Sequence, residues 1–151
     1  MRNALIVTLL AACTLLPGNA KAEEDRIPIY INADCSSDSV GQRLVYKTRE
    51  AIRASRRMYE TLEYPKSLIQ LQIVCLEPDR DEAGSVTRYA YAITAINIKG
   101  KFDHLINFGV GTCGTSRINE CAESRTASTD ESVAEVIASF RNGTFEFKQE
   151  K

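Results

Sequence analysis

The chain holds one histidine, no tryptophan and, beyond residue 16, no apolar run of membrane-spanning length. A spanning helix needs roughly 20 consecutive apolar residues, so nothing after the N-terminal segment reads as a membrane anchor. A hydrolytic triad needs a histidine beside a nucleophile. His104 follows Asp103 on a predicted strand, with no Gly-x-Ser-x-Gly elbow or comparable serine context anywhere in the chain. A lone strand-edge histidine of this kind reads as structural or solvent-facing. Zinc sites use cysteines two to four positions apart or neighbouring histidines; neither pattern occurs, and no metal or other cofactor is expected. Neither charge is in excess: 19 Lys and Arg face 20 Asp and Glu. That balance argues against nucleic acid as a bulk electrostatic partner.

Two local patterns invite a functional reading and do not sustain it. Asp79-Arg80-Asp81-Glu82 lacks the further oxygen ligands of a calcium loop, and the twelfth position from Asp79 is Ala90 rather than glutamate. It reads as a solvated, charged loop. Gly109-Val110-Gly111-Thr112-Cys113-Gly114 is glycine-rich, but no Lys-Ser/Thr follows and the spacing fits neither phosphate fingerprint. It reads as a strand leaving the sheet into a disulfide-closed loop.

The first 22 residues have the order of an export signal. Met1-Arg2-Asn3 is a basic start, Ala4 to Leu16 is apolar, Pro17-Gly18 breaks the run, and Ala20-Lys21-Ala22 puts small residues at the −3 and −1 positions. The expected mature chain is one domain, residues 23–151, beginning at Glu23 in the periplasm or outside the cell. Losing Arg2 and Lys21 takes its net charge from −1 to −3. Leu10-Ala11-Ala12-Cys13 also fits a lipobox, which would anchor the chain through Cys13. Against it, Thr14-Leu15-Leu16 stays apolar where a lipoprotein turns polar, and cleavage after Ala22 leaves an even number of cysteines.

Those cysteines, Cys35, Cys75, Cys113 and Cys121, would meet an oxidising compartment, where disulfides are the default. Three pairings are possible. Cys113 and Cys121 flank a Gly/Thr/Ser/Asn segment that a short bridge closes easily, which favours Cys113–Cys121 with Cys35–Cys75.

Periodicity supplies the elements. Ile27, Ile29 and Ile31 alternate along a first strand, with Pro28 near its start as the mark of an edge position. Ser39-Val40-Gly41-Gln42 has capping-box spacing. From there Val40, Leu44, Thr48, Ala51, Ile52, Ser55, Met58 and Leu62 form one face of a long amphipathic helix ending before Tyr64-Pro65. Leu68 to Leu76 is a second strand. Val86 to Ile98 is a third, with Tyr89, Tyr91 and Ile93 on one side and a bulge near Thr94-Ala95. Lys99-Gly100-Lys101 makes a hairpin into a fourth strand, Phe102 to Gly111, with Ile106, Phe108 and Val110 facing the core. Thr112 to Thr126 reads as a connection with at most a short helical turn. Ser128 or Thr129 then caps a shorter helix whose stripe is Val133, Val136, Ile137 and Phe140, stopped by Asn142-Gly143. Phe145 and Phe147 alternate with polar residues, as in a short last strand or packed tail.

The order β-α-β-β-β-α predicts an α+β two-layer sandwich: one mixed four-stranded sheet, a long helix and a shorter C-terminal helix packed on it, and two disulfides. The crossover makes the first two strands parallel, which brings Cys35 and Cys75 to neighbouring strand exits. The first helix is the most asymmetric charge feature. Arg43, Lys47, Arg49, Arg53, Arg56 and Arg57 face only Glu50 and Glu60, a partner-binding surface for an anionic envelope component or acidic protein. The competing reading is a solvated helix face.

The segment Val110-Gly111-Thr112-Cys113-Gly114 with Cys121-Ala122, together with Ser39-Val40-Gly41-Gln42-Arg43-Leu44 opening a helix, resembles small exported bacterial proteins of unassigned activity. From Ile27 to Ile98 the order of elements is similar to the N-terminal domain of TolB and to the periplasmic lipoproteins that activate penicillin-binding proteins. That resemblance implies a non-enzymatic adaptor of the cell envelope. It transfers no functional residue, and the cysteines lie outside its pattern. The sequence therefore points to an exported, disulfide-bonded accessory protein that binds an envelope protein or an anionic envelope component. The alternative is an inhibitor or immunity protein against a secreted or cell-wall hydrolase, using the Cys113–Cys121 loop as a plug. An enzyme built on His104 is the third reading.

Overall fold

The computed structural model describes residues 26–76, 84–96 and 104–141. The leader, the Asp79–Glu82 loop, the Lys99–Lys101 hairpin, the Asn142-Gly143 stop and the Phe145/Phe147 alternation lie outside the described residues. The described residues form five strands and two helices: β1 (Ile27–Asp34), α1 (Ser39–Ala54), β2 (Met58–Thr61), β3 (Ile69–Leu76), β4 (Val86–Ala95), β5 (His104–Gly114) and α2 (Ile118–Arg141). The sheet order is β2-β1-β3-β4-β5. β1 runs parallel to β2 and β3, and β4 and β5 continue antiparallel. This is the expected α+β arrangement with a mixed sheet and two bridges, Cys35–Cys75 and Cys113–Cys121.

The fifth strand is a correction. The helical stripe read through Met58 and Leu62 stops at Ala54, because Ser55 turns the chain and its hydroxyl accepts from the Arg57 and Met58 N–H groups. Met58 is fully buried as the first residue of β2, whereas Leu62 is 81% exposed. β1 is therefore an interior strand. Its first pair with β3 is Ile29–Ile69, so the N–H that Pro28 lacks falls where β3 has not begun, while the Pro28 carbonyl still accepts from Leu68 N–H.

The helix cap also moves by one residue. Asp38, not Ser39, caps α1, its carboxylate accepting from Val40 and Gly41 N–H at 3.0 Å each. Gln42 reaches back to the Ser36 carbonyl at 2.8 Å instead of closing a box on Ser39.

The C-terminal helix is the longer of the two, 24 residues against 16. It starts at Ile118, inside the segment expected to be a connection. Its inward positions include Ile118, Ala122, Arg125, Thr129, Ser132, Val133 and Val136, and three of these seven are polar. Thr126, Thr129 and Ser132 return their hydroxyls to the carbonyls four residues back at 2.9 Å, which makes burial of these side chains tolerable. Hydrophobic periodicity reveals its second half, through Val133, Val136 and Ile137, and misses the first.

The core lies between the sheet and the helices. Ile29, Ile69, Leu71, Ile73 and Ile93 from the sheet meet Leu44 and Ile52 from α1, all at most 1% exposed. Each contributes about 1.5–3 kcal/mol on burial.

Candidate functional site

The six basic positions of the first helix region do not form one free patch. Arg49 Nη1 and Arg53 Nη2 converge on Glu60 of β2 at 2.5 Å each, and the Glu60 side chain is only 4% exposed. Lys47 pairs with Glu50 at 2.7 Å. That hydrogen bond holds the Lys47 ammonium above its ordinary pKa and the Glu50 carboxyl below its own. Arg57 faces Asp130 of α2 at 3.5 Å. Arg43 and Arg56 have no ion pair among the described residues. They sit at opposite ends of the helix region. Arg43 lines a cleft of about 310 Å³ with Tyr46, Thr115 and Ser116, and Arg56 lines an open groove against α2. Glu60 was visible in the sequence as one of two opposing acids. Its position opposite the arginines follows only from β2.

Of the three β5 residues expected to face the core, Ile106 does pack against it at the bulge, whereas Phe108 and Val110 face the opposite way. Phe108 and Val110 are 72% and 81% exposed on the side away from the helices, while Cys113 is buried. Two features set this phase. Cys113 is bonded to Cys121 in α2, so Cys113 and the positions two and four before it, Gly111 and Gly109, face the helices. The β4 tyrosines then occupy the space over those glycines. A Cβ on Gly109 would stand 2.8 Å from the Tyr91 hydroxyl, and one on Gly111 would stand 2.6 Å from the Tyr89 ring. The parity of Cys113 with Gly111 and Gly109 was the sequence signal for this arrangement.

Cys121 lies in the first turn of α2, and a three-residue 3₁₀ turn, Thr115–Arg117, links it to β5. The bridge closes a strand-to-helix corner. Between the two cysteines the chain forms this turn and the start of α2 instead of the loop expected from sequence.

Arg125 of α2 completes this corner. Its guanidinium carbon lies 3.4 Å from the centre of the Tyr91 ring and 5.8 Å from that of Tyr89, a cation–π arrangement. The residue is 9% exposed. Its Nε and Nη1 are buried without an acceptor, and no carboxylate pairs with it among the described residues. Sequence reading passed over Arg125 because it falls in the segment read as a connection.

Among the described residues no helix covers the outer face of the sheet, and its apolar residues gather at the β5 side. Register places Phe108 beside Ala92, and Val110 beside Ala90 and then Val74. Leu76 and Leu105 are 48% and 51% exposed. Among the described residues β5 ends the sheet. Thr115 N–H donates to the Ser85 carbonyl at 2.9 Å. By strand alternation the backbone groups of Cys113, Gly111 and Gly109 also face β4, and those of Thr112, Val110 and Phe108 face the open edge. His104 begins this strand, exposed and opposite Ala95.

No protein-family model matches the chain, and no curated protein matches it. Solved structures with a similar backbone include a PelC dodecamer from Paraburkholderia phytofirmans, at 10% identity over 68% of this chain and 86% of that one, with a TM-score of 0.45. Hypothetical protein CT253 from Chlamydia trachomatis shares 6% identity over 59% and 72%, with a TM-score of 0.39. XCC0632 from Xanthomonas campestris, of the DUF330 family, shares 10% over 80% and 89%, with a TM-score of 0.43. At such identities and scores the likeness supports no functional argument. None of these three is a TolB domain or an activator of penicillin-binding proteins.

Proposed function

We propose that this chain is an exported, disulfide-bonded, non-enzymatic binding protein of the cell envelope that takes a partner polypeptide as an added strand on β5. The observation that carries the reading is the state of that edge. Sheet edges are normally kept short or blunted with lysine, proline or charge, because unpaired N–H and C=O groups recruit other chains. β5 is 11 residues long and, from Leu105 to Gly114, contains no lysine, proline or charged residue. Beside it lie the exposed side chains of Phe108 and Val110. An unguarded edge flanked by apolar residues is the arrangement used in strand addition, where backbone bonds give affinity and alternate side chains give specificity.

Export is supported by the leader pattern of residues 1–22 and by two bridges within one small domain. No helix among the described residues is long and apolar enough to cross a membrane. The basic helix region is a secondary surface at most, since four of its six cations face acids of this same chain.

Photo-crosslinking in living cells tests this reading. A benzoyl-phenylalanine at Val110 is expected to trap a defined polypeptide, and the same group at Leu62, equally exposed beyond the opposite edge, is not. Val110→Pro with the crosslinker moved to Phe108 should lose the adduct, because proline removes an outward N–H and leaves the β4 ladder intact. Identical adducts from both edges, or adducts that survive the proline, would overturn it. Mass spectrometry of the exported chain should show Glu23 as its first residue and four hydrogens lost.

A further inference from the structure

Resting on the strand-addition reading, we infer that the partner segment has an apolar–acidic–apolar order, and that Arg125, held against Tyr89 and Tyr91, is the receptor for its carboxylate. Two independent observations meet here. The first is Arg125, nine-tenths buried, with Nε and Nη1 facing no acceptor. A guanidinium has five N–H donors in a fixed fork suited to carboxylate. Burying it without a partner is costly, and protein interiors ordinarily supply one. In this chain the tyrosine faces shield the cation and leave its hydrogen-bonding valence open.

The second observation is the pair of glycines at the edge beside it. Gly109 and Gly111 are the β5 residues whose Cα atoms lie against the Tyr91 and Tyr89 hydroxyl ends. With no side chains of their own, they let those two rings lie over the last strand, so the hydroxyl ends of the tyrosines that hold Arg125 reach toward the open edge. A strand added to β5 alternates its side chains with those of its neighbour. A residue opposite Gly109 or Gly111 therefore points to the helix side, toward Arg125 and the two tyrosines. The residues before and after it point to the outer face, beside Phe108 and Val110. Charge favours an acid at the first position, and apolar contact favours hydrophobic residues at its neighbours. The order is thus set by two faces of one edge strand.

The chain's own sequence contains this order with aromatic flanks at Phe145-Glu146-Phe147, which supplies a probe. A fluorescein-labelled peptide Gly-Thr-Phe-Glu-Phe-Lys-Gln, matching residues 143–149, is titrated with the oxidised mature protein and followed by anisotropy. Analogues carrying Gln or Lys in place of its glutamate are run beside it. The glutamate peptide is expected to bind at least tenfold more tightly than the Gln analogue and more tightly still than the Lys analogue. Val110→Pro should abolish binding of all three. Arg125→Gln should reduce the Glu-to-Gln ratio below twofold. The comparison of peptides is made on the wild-type protein, so it holds as a test even if Arg125→Gln does not fold. Equal binding of the three peptides, lost in Val110→Pro, would overturn the acidic specificity and leave strand addition standing. Binding indifferent to Val110→Pro, or no binding at millimolar protein, would overturn the strand-addition reading itself.

Discussion

Gly41 and Cys75 meet where α1 begins, with no room between them for a methyl group. A Cβ on Gly41 would overlap the Cys75 sulfur and stand 3.0 Å from Asp38 Oδ2 and 3.1 Å from Thr87 Oγ1. The first turn of α1 is therefore seated directly on the Cys35–Cys75 bridge. Alanine is intrinsically better than glycine in a helix by about 1 kcal/mol, but overpacking a filled site typically costs about 1–3 kcal/mol. The sulfur is tethered and cannot swing aside as a free side chain would. Gly41→Ala is expected to lower stability to urea by about 1 kcal/mol, net of the two opposing effects. A gain in stability would show that the turn can slide off the bridge.

The same turn distinguishes two possible caps. Asp38→Ala removes an acceptor for two N–H groups and should cost about 1–2 kcal/mol. Ser39→Ala, at the position that the capping-box spacing favours, should stay within about 0.5 kcal/mol. Chemical denaturation of the two variants side by side decides which residue caps the helix.

Sequence reading succeeds here where burial and chemistry coincide. Ile69, Leu71 and Ile73 alternate and are buried, so β3 is legible. The parallel crossover puts Cys35 and Cys75 at adjacent strand exits, so their bridge is legible too. Reading fails where a polar residue is buried or an apolar one exposed. α2 is legible in its second half, where Val133, Val136 and Ile137 pack inward as expected, and hidden in its first half because Arg125 and Thr129 lie on its inner stripe. β2 is hidden because four residues cannot show a period, and because Met58 happens to continue the helical spacing of α1. β5 is legible as a strand, and Ile106 packs on the core as expected, but beyond the bulge its phase is inverted, since Phe108 and Val110 outweigh two glycines in any hydrophobic count. The corner that gathers Tyr89, Tyr91, Gly109, Gly111 and Arg125 joins two misread elements and so was not visible as a site.

The two disulfides should contribute unequally. Cys35 and Cys75 are separated by 40 positions and Cys113 and Cys121 by 8. In the chain-entropy account, closing the longer loop restricts the unfolded chain by about 4 kcal/mol and the shorter by about 2.5 kcal/mol. Paired Cys→Ala variants at each bridge are expected to follow that order in denaturant midpoint. Equal losses would place the stabilisation in native packing instead of the unfolded ensemble.

Glu60 is the anchor for Arg49 and Arg53, and removing it leaves both cations without an acid. In a fully enclosed pair such a loss costs about 3–5 kcal/mol. Here the Arg49 and Arg53 side chains are 29% and 56% exposed, so water takes over part of the role. Glu60→Ala should cost about 1–3 kcal/mol, and Arg53→Ala should cost under about 1 kcal/mol. A Glu60→Ala variant as stable as wild type would mean that β2 and α1 are held by Met58 packing alone.

The inverted phase of β5 gives the most direct check on the whole corner. If the outer face is as described, Phe108→Ser removes a side chain that is 72% exposed and should change stability by less than about 0.5 kcal/mol. Ile93→Ala, on the buried side of β4 opposite Asn107, should cost about 2–5 kcal/mol. Gly111→Val would drive a branched side chain into the Tyr89 ring, whose nearest atom stands 2.6 Å from the first added carbon. It should therefore be destabilising, although valine is the better strand former. The opposite ranking, with Phe108 sensitive and Gly111 tolerant, would turn β5 over. It would also separate the open edge from the tyrosine pair that holds Arg125, and with it the proposed acidic specificity.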